Sequence, residues 1–308
     1  MNKRKLLSSL FILIFVSAAY SYHPALFSDG KTLVLYDAAS GDIPGTLVMS
    51  FTDFPPGVAL PTFSDGATVV DTTISGTDTY AGWVAGEVTT PGFPILDRTV
   101  GVQVNFTVQV DSEAHTNNDR AGFSIIILDK AAQGIELSFW ENEIWVKSDD
   151  GTGGLFKHGE GIAFATSALT DYQVIFMGDT YTLTANAEPL LTGPLRDYSA
   201  FAGFPDPYET QNFLFLGDNT TSAQTRVRLR FVSVTGTEPV VPTSTGAISL
   251  PTASSTPQPQ PSATPNPSLP QPKPVFELCP SGWLVGVVVI ASTMMVKKKI
   301  RRHRTNRF

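Results

Sequence analysis

Residues 134–147 read G-I-E-L-S-F-W-E-N-E-I-W-V-K, and few conformations suit such a stretch. Apolar and polar side chains alternate on both sides of Glu141-Asn142, with the period of two that belongs to strands. A two-residue turn at Glu141-Asn142 then fixes the partners by counting outward. Phe139 faces Ile144 and Leu137 faces Val146, which makes one face wholly apolar. On the other face Trp140 lies beside Glu143, Ser138 opposite Trp145, and Glu136 opposite Lys147. A slip of one residue would set apolar side chains against polar ones, so the register is well specified. The Glu136–Lys147 pair adds about 0.2–1 kcal/mol, and each large apolar side chain fully buried adds about 1.5–3 kcal/mol. The hairpin therefore belongs to a sheet with one face on a core.

The rest of residues 22–235 supplies that sheet and its partner. Strand-like runs recur at 32–36, 46–51, 100–110, 123–128, 172–177, 181–185, 213–216 and 227–234, while helical periodicity is nearly absent. Gly178-Asp179 makes a second hairpin, pairing Phe176 with Tyr181 and Val174 with Leu183, and Asn186-Ala187 starts a third turn. Many strands joined by short turns imply an all-β domain of two packed antiparallel sheets. Residue 279 is the only cysteine, so the domain has to hold together by its core alone.

Both ends of the chain carry a different message. Lys3-Arg4-Lys5, the apolar run 10–16 and the small residues that follow read as an export signal over 1–21. From Leu278 to Val296 there are 19 residues without a charge, spanning roughly 28 Å as a helix, enough for a bilayer core. The basic tail 297–308 would stay on the cytoplasmic side. Eleven of the 23 prolines lie between Gly236 and Val275, so 236–277 reads as an extended stalk without a core of its own. Cys279, just outside the span, reads either as a boundary residue or as a processing or lipid-attachment site. The expected layout is a single-pass membrane protein with its domain on the cell surface.

Charge agrees with that division. All 28 acidic residues lie between Asp29 and Glu277, where only 11 of the 21 basic residues are found, a net charge of −17 for that part. Like charge repels nucleic acid and anionic lipid surfaces, which excludes them as partners of the domain.

The run D-T-Y-T-L-T-A-N-A-E-P-L-L-T-G-P-L-R-D-Y (179–198), with N-F-L-F-L-G-D (212–218) and V-R-L-R-F-V-S-V, resembles the closing half of laminin-G and concanavalin A-like jelly rolls. L-D-R-T-V-G, N-D-R-A-G-F-S-I-I-I-L, G-I-E-L-S-F-W-E-N-E-I-W and G-P-L-R-D-Y-S-A-F are more closely similar to the "choice-of-anchor" bacterial surface modules. The resemblance covers most of residues 30–235. It implies a jelly-roll β-sandwich in a bacterial envelope and no catalytic residues to carry over.

Three kinds of chemistry are open to these residues. Concanavalin A-like glucanases place nucleophile and acid about 5–5.5 Å apart on one strand, and Glu136-x-Ser138-x-x-Glu141 is the corresponding run. Ser138 replaces its middle carboxylate and Glu141 falls in the predicted turn, so an active or degenerate hydrolase stands behind binding. Calcium is the second possibility, through Asp149, Asp150, Asp218 and Asn219 on loops. An EF-hand fails, because Gly151 and Gly153 hold two ligand positions; the four histidines are too scattered for zinc, and His158-Gly-Glu160 reads as a loop. The third is glycan recognition by Trp140 and Trp145 beside Glu136 and Ser138, an aromatic face with polar groups next to it. The alternative is that the facing sheet or a loop covers both indoles. A purely structural envelope protein would have no ligand.

Overall fold

The computed structural model describes residues 30–45, 48–75, 79–149, 151, 154–203 and 206–238. The expected signal 1–21, nearly all of the stalk, the span 278–296, the tail, Cys279 and Asp150 lie outside the described residues. Among those described, no helix is long and apolar enough to cross a membrane.

Strands dominate. In chain order they are β1 (Lys31–Asp37), β2 (Ser50–Phe54), β3 (Thr62–Ser64), β4 (Ala67–Asp71), β5 (Tyr80–Gly86), β6 (Val102–His115), β7 (Phe123–Leu128) and β8 (Gly134–Phe139). Then follow β9 (Glu143–Lys147), β10 (His158–Ala163), β11 (Thr170–Met177), β12 (Thr180–Ala185), β13 (Glu188–Pro194), β14 (Phe213–Asp218) and β15 (Ala223–Gly236). They form two antiparallel sheets, so the fold is an all-β sandwich. The first sheet runs β13-β12-β11-β6-β15-β4-β3, with β1 beside the second half of β15; the second runs β10-β9-β8-β7-β14-β5-β2.

The 134–147 hairpin takes the predicted register, with Leu137 opposite Val146, Ser138 opposite Trp145 and Phe139 opposite Ile144. Phe139 on its apolar face meets Phe106 and Tyr172 of the other sheet edge-on at 6.2 and 5.5 Å, and its strand neighbour Phe123 in a tilted contact at 5.3 Å. The second hairpin also pairs as expected, Phe176 with Tyr181 and Val174 with Leu183. Both residues of the third turn, Asn186 and Ala187, have positive φ (50° and 68°), as a tight hairpin turn requires. The last strand runs on through Gly236, and Thr237 bridges back to Ile95.

Five strands, β3, β4, β5, β10 and β13, lie outside the expected runs, and β10 replaces the loop expected at His158-Gly-Glu160. Glycine explains two of them. A Cβ at Gly82 in β5 would lie 2.6 Å from the Leu216 carbonyl oxygen, and one at Gly161 in β10 would lie 2.9 Å from Trp145 Cβ on the paired strand. Close strand approach demands glycine there and erases the sequence pattern. On one side of the sandwich β10 and β13, edge strands of different sheets, are laced together. Tyr181 donates to Glu160 Oε1 (2.8 Å), Arg196 pairs with Glu160 Oε2, and Gly193 leaves room for that carboxylate.

Candidate functional site

Alternation sends Glu136, Ser138, Trp145 and Lys147 to the outer face of the seven-stranded sheet. The expectation of an exposed binding platform there is corrected by what covers it. After β13 the chain crosses this face, pinned where Gly134 and Arg196 exchange both backbone hydrogen bonds (3.0 and 2.7 Å). Tyr198 and Tyr208 then pack with Ile126, Leu128, Phe213 and Phe215 into a second apolar cluster, joined by Phe156 and Phe201. Glu136, Ser138 and Trp145 are each 0% exposed.

Beneath that cover lies an enclosed ion pair. Lys147 Nζ is 2.6 Å from Glu136 Oε1, which also accepts from Asn219 Nδ2 (2.8 Å), while Tyr208 donates to Oε2. The Tyr198 hydroxyl accepts from the Glu136 amide (3.0 Å) and donates to the Lys147 carbonyl (2.7 Å). Burial pushes the Glu136 carboxyl up, yet the Lys147 charge and these hydrogen bonds outweigh it and hold the group below its ordinary value. A carboxylate with both oxygens committed and no path to solvent has no room for a glycosidic oxygen. Glu141 does not join it: at the far end of the hairpin its side chain accepts from the Glu113 amide (3.1 Å).

The tryptophans sit in an aromatic stack. His115 lies on Trp140 and His158 on Trp145, both at 4.3 Å between centroids and within 10° of parallel, and the two indoles meet edge to face at 5.7 Å. Trp140 keeps partial exposure, but its Nε1 donates to the Arg120 carbonyl (2.8 Å) and His115 occupies one ring face. His158 ties the stack to the 116–122 loop. Its Nδ1 faces the Asn118 carbonyl (3.1 Å) and its Nε2 the Glu143 carboxylate (3.0 Å).

The calcium candidates do not converge either. Asp218 is buried, takes the Thr72 hydroxyl (2.7 Å) and the Thr220 amide (3.1 Å), and has its carboxyl pushed well up by burial. Asn219 gives its Nδ2 to Glu136 while its buried Oδ1 has no partner among the described residues, and Asp149 accepts from the Gly151 amide (3.2 Å). Among the described residues no three His, Cys, Asp or Glu side chains are grouped to hold a metal.

The outer face of the other sheet is open and polar. Four neighbouring strands set Asp171, Thr107, Phe231 and Asp37 in one row, each opposite the next, and Thr107 donates to Asp171 Oδ1 (2.7 Å). Phe231 faces outward because of a bulge: the β15–β6 register shifts between Leu229 and Phe231, leaving Arg230 as the extra residue. Arg226 and Arg228, farther along β15, hold Asp111 between them at 3.2 and 2.8 Å. Arg226 also takes Asp71 (2.8 Å), and Arg228 takes Asp65 (3.6 Å). Arg230 is exposed and has no carboxylate partner among the described residues. It lies with Leu169 in the wall shared by two adjoining grooves of about 570 and 430 Å³. The sequence does carry the signal: R-V-R-L-R-F-V-S-V alternates perfectly until Phe231, where the phase breaks.

No family model matches this sequence, and no curated protein does. Among solved structures the chain is similar to a carbohydrate esterase of Shiga toxin-encoding bacteriophage phi24B (12% identity, TM-score 0.44, covering 68% of this chain and 100% of that one). It is similar also to the exoplasmic/lumenal domain of VIP36 in a Ca2+/Man-bound form (10%, 0.39, 68% and 90%) and to lectin I-B4 of Griffonia simplicifolia (9%, 0.38, 67% and 99%). Identities this low speak at most to the layout of the sandwich and not to a ligand.

Proposed function

We propose that this protein is a non-catalytic recognition module, displayed on the cell surface, whose open sheet face holds an extracellular glycan. One observation carries the reading. The bulge in β15 frees Arg230 and turns Phe231 outward in a grooved row of hydrogen-bonding side chains, the mix of apolar surface and polar groups that sugars require. The alternative of hydrolysis loses its chemical basis in the sealed and saturated Glu136. Display rests on the sequence: an export signal, a Pro-rich stalk, a charge-free span and a basic stop, together with the likeness to choice-of-anchor modules.

A glycan array probed with the full chain in mild detergent tests the reading. Retention of at least one glycan, lost in Thr107→Val with unchanged near-UV circular dichroism, is the expected result. Hydrolysis of a β-glucan that disappears in Glu136→Gln would overturn it in favour of an enzyme.

A further inference from the structure

We infer that the ligand of this face is an uncharged saccharide chain, read by carboxylate and guanidinium groups that contact hydroxyls. The inference rests on the glycan-binding reading and adds the chemical class. Of the charged groups lining the two grooves, Asp65 and Asp111 are already paired with arginines on β15. Three groups then remain uncommitted. Arg230 offers its full fork of donors, and Asp37 and Asp171 each keep one carboxylate oxygen. Asp37 Oδ1 takes the Ala39 amide (2.9 Å) and Asp171 Oδ1 the Thr107 hydroxyl, while their Oδ2 atoms have no partner among the described residues.

Acceptors on both sides of a donor match neighbouring sugar hydroxyls, each of which can donate and accept. Phe231 and the 37% exposed Leu169 supply apolar contact for the C–H side of a ring. The row crosses four strands, roughly 14 Å at about 4.8 Å per strand, which suits a short oligosaccharide lying across the sheet. An acidic sugar is disfavoured by arithmetic. Its charge would meet two carboxylates and one guanidinium, and a single like-charge contact at about 4 Å weakens binding about tenfold or more.

The experiment uses the full chain in mild detergent and matched hexasaccharides. Neutral glucan, mannan and galactan chains are each compared with the same chain oxidised at C6 to uronates, by calorimetry at 0.15 M salt. The expected result is that at least one neutral chain binds and that its oxidised form binds about tenfold or more weakly, the effect of one such repulsion. Arg230→Gln weakens the neutral chain about fivefold or more through lost hydrogen bonds. Asp171→Asn narrows the gap between neutral and oxidised chains, a change that loss of folding would not produce. Trp140→Ala leaves all of these values in place. Equal or tighter binding of the oxidised chain would overturn the inference and leave glycan recognition standing. Failure of every chain to bind would sink both. Loss of binding in Trp140→Ala with Arg230→Gln silent would move the site to the hairpin end and overturn the inference as well.

Discussion

The two outer faces of the sandwich use the same chemistry to opposite ends. On the seven-stranded sheet Glu136 and Lys147 form a cross-strand acid–base pair under Tyr198 and Tyr208; on the eight-stranded sheet Asp111 lies between Arg226 and Arg228 at the surface. Solvent separates them. A buried pair cannot exchange its partner for water, so removing one member costs about 3–5 kcal/mol. Exposed pairs contribute about 0–1 kcal/mol, and the groups beside them stay free to meet a ligand. Charged side chains on a sheet face thus become structure or contact surface according to whether the chain returns to cover them.

The largest expected effect tests the covered face. Lys147→Ala leaves Glu136 enclosed and unpaired, and urea unfolding followed by tryptophan fluorescence is expected to show a loss of about 3–5 kcal/mol. The double variant Glu136→Leu/Lys147→Met is expected to regain most of it. A cost below about 1 kcal/mol for the single variant would mean that the cover is loose. Gly134→Ala comes next, at about 2–3 kcal/mol, because its Cβ would fall 1.8 Å from the Ile127 carbonyl oxygen where the crossing segment is pinned.

Titration sharpens the contrast. Glu136 is held below its ordinary value, so its stabilisation is complete above the ordinary carboxylate range and drains away as the pH falls below it. Asp218 is raised by burial and has the opposite sign: its neutral form suits the fold, and that contribution is lost as the pH climbs from the ordinary carboxylate range up through its raised value. Thermal melts between about pH 3 and 7 should show the deficit of Glu136→Gln shrinking toward acid. Asp218→Asn should gain on the native protein toward neutral pH. The smallest effect belongs to the open face. Arg230→Gln is expected to change unfolding stability by less than about 0.5 kcal/mol, and a larger loss would show that this face helps hold the fold.

Pairing was legible from the sequence wherever one face alternates against the core. The 134–147 and 172–185 hairpins have the registers that counting from their turns gives. What alternation cannot report is the far side of a strand. Glu136, Ser138 and Trp145 read as a polar outer face, and nothing local to the hairpin announces that Tyr198 and Tyr208, some 60–70 residues onward, close over it. G-P-L-R-D-Y held part of that answer, since Arg196 and Tyr198 pin the cover. Counting from the turn places Glu136 opposite Lys147, but it cannot report the enclosure that makes removal of one member costly. The open face was missed for a subtler cause: one residue out of phase at Phe231 marks a bulge, and period counting passes over it as noise.

The lacing of β10 to β13 bears on how many copies of such a domain can stand side by side. A strand at a sheet margin offers unspent backbone donors and acceptors to any neighbour. Here one pair of margins is tied by Glu160, Tyr181 and Arg196, and the margin at β3 is only three residues long. Strand pairing between crowded copies is thereby directed to the remaining margins at β1 and β2, seven and five residues long.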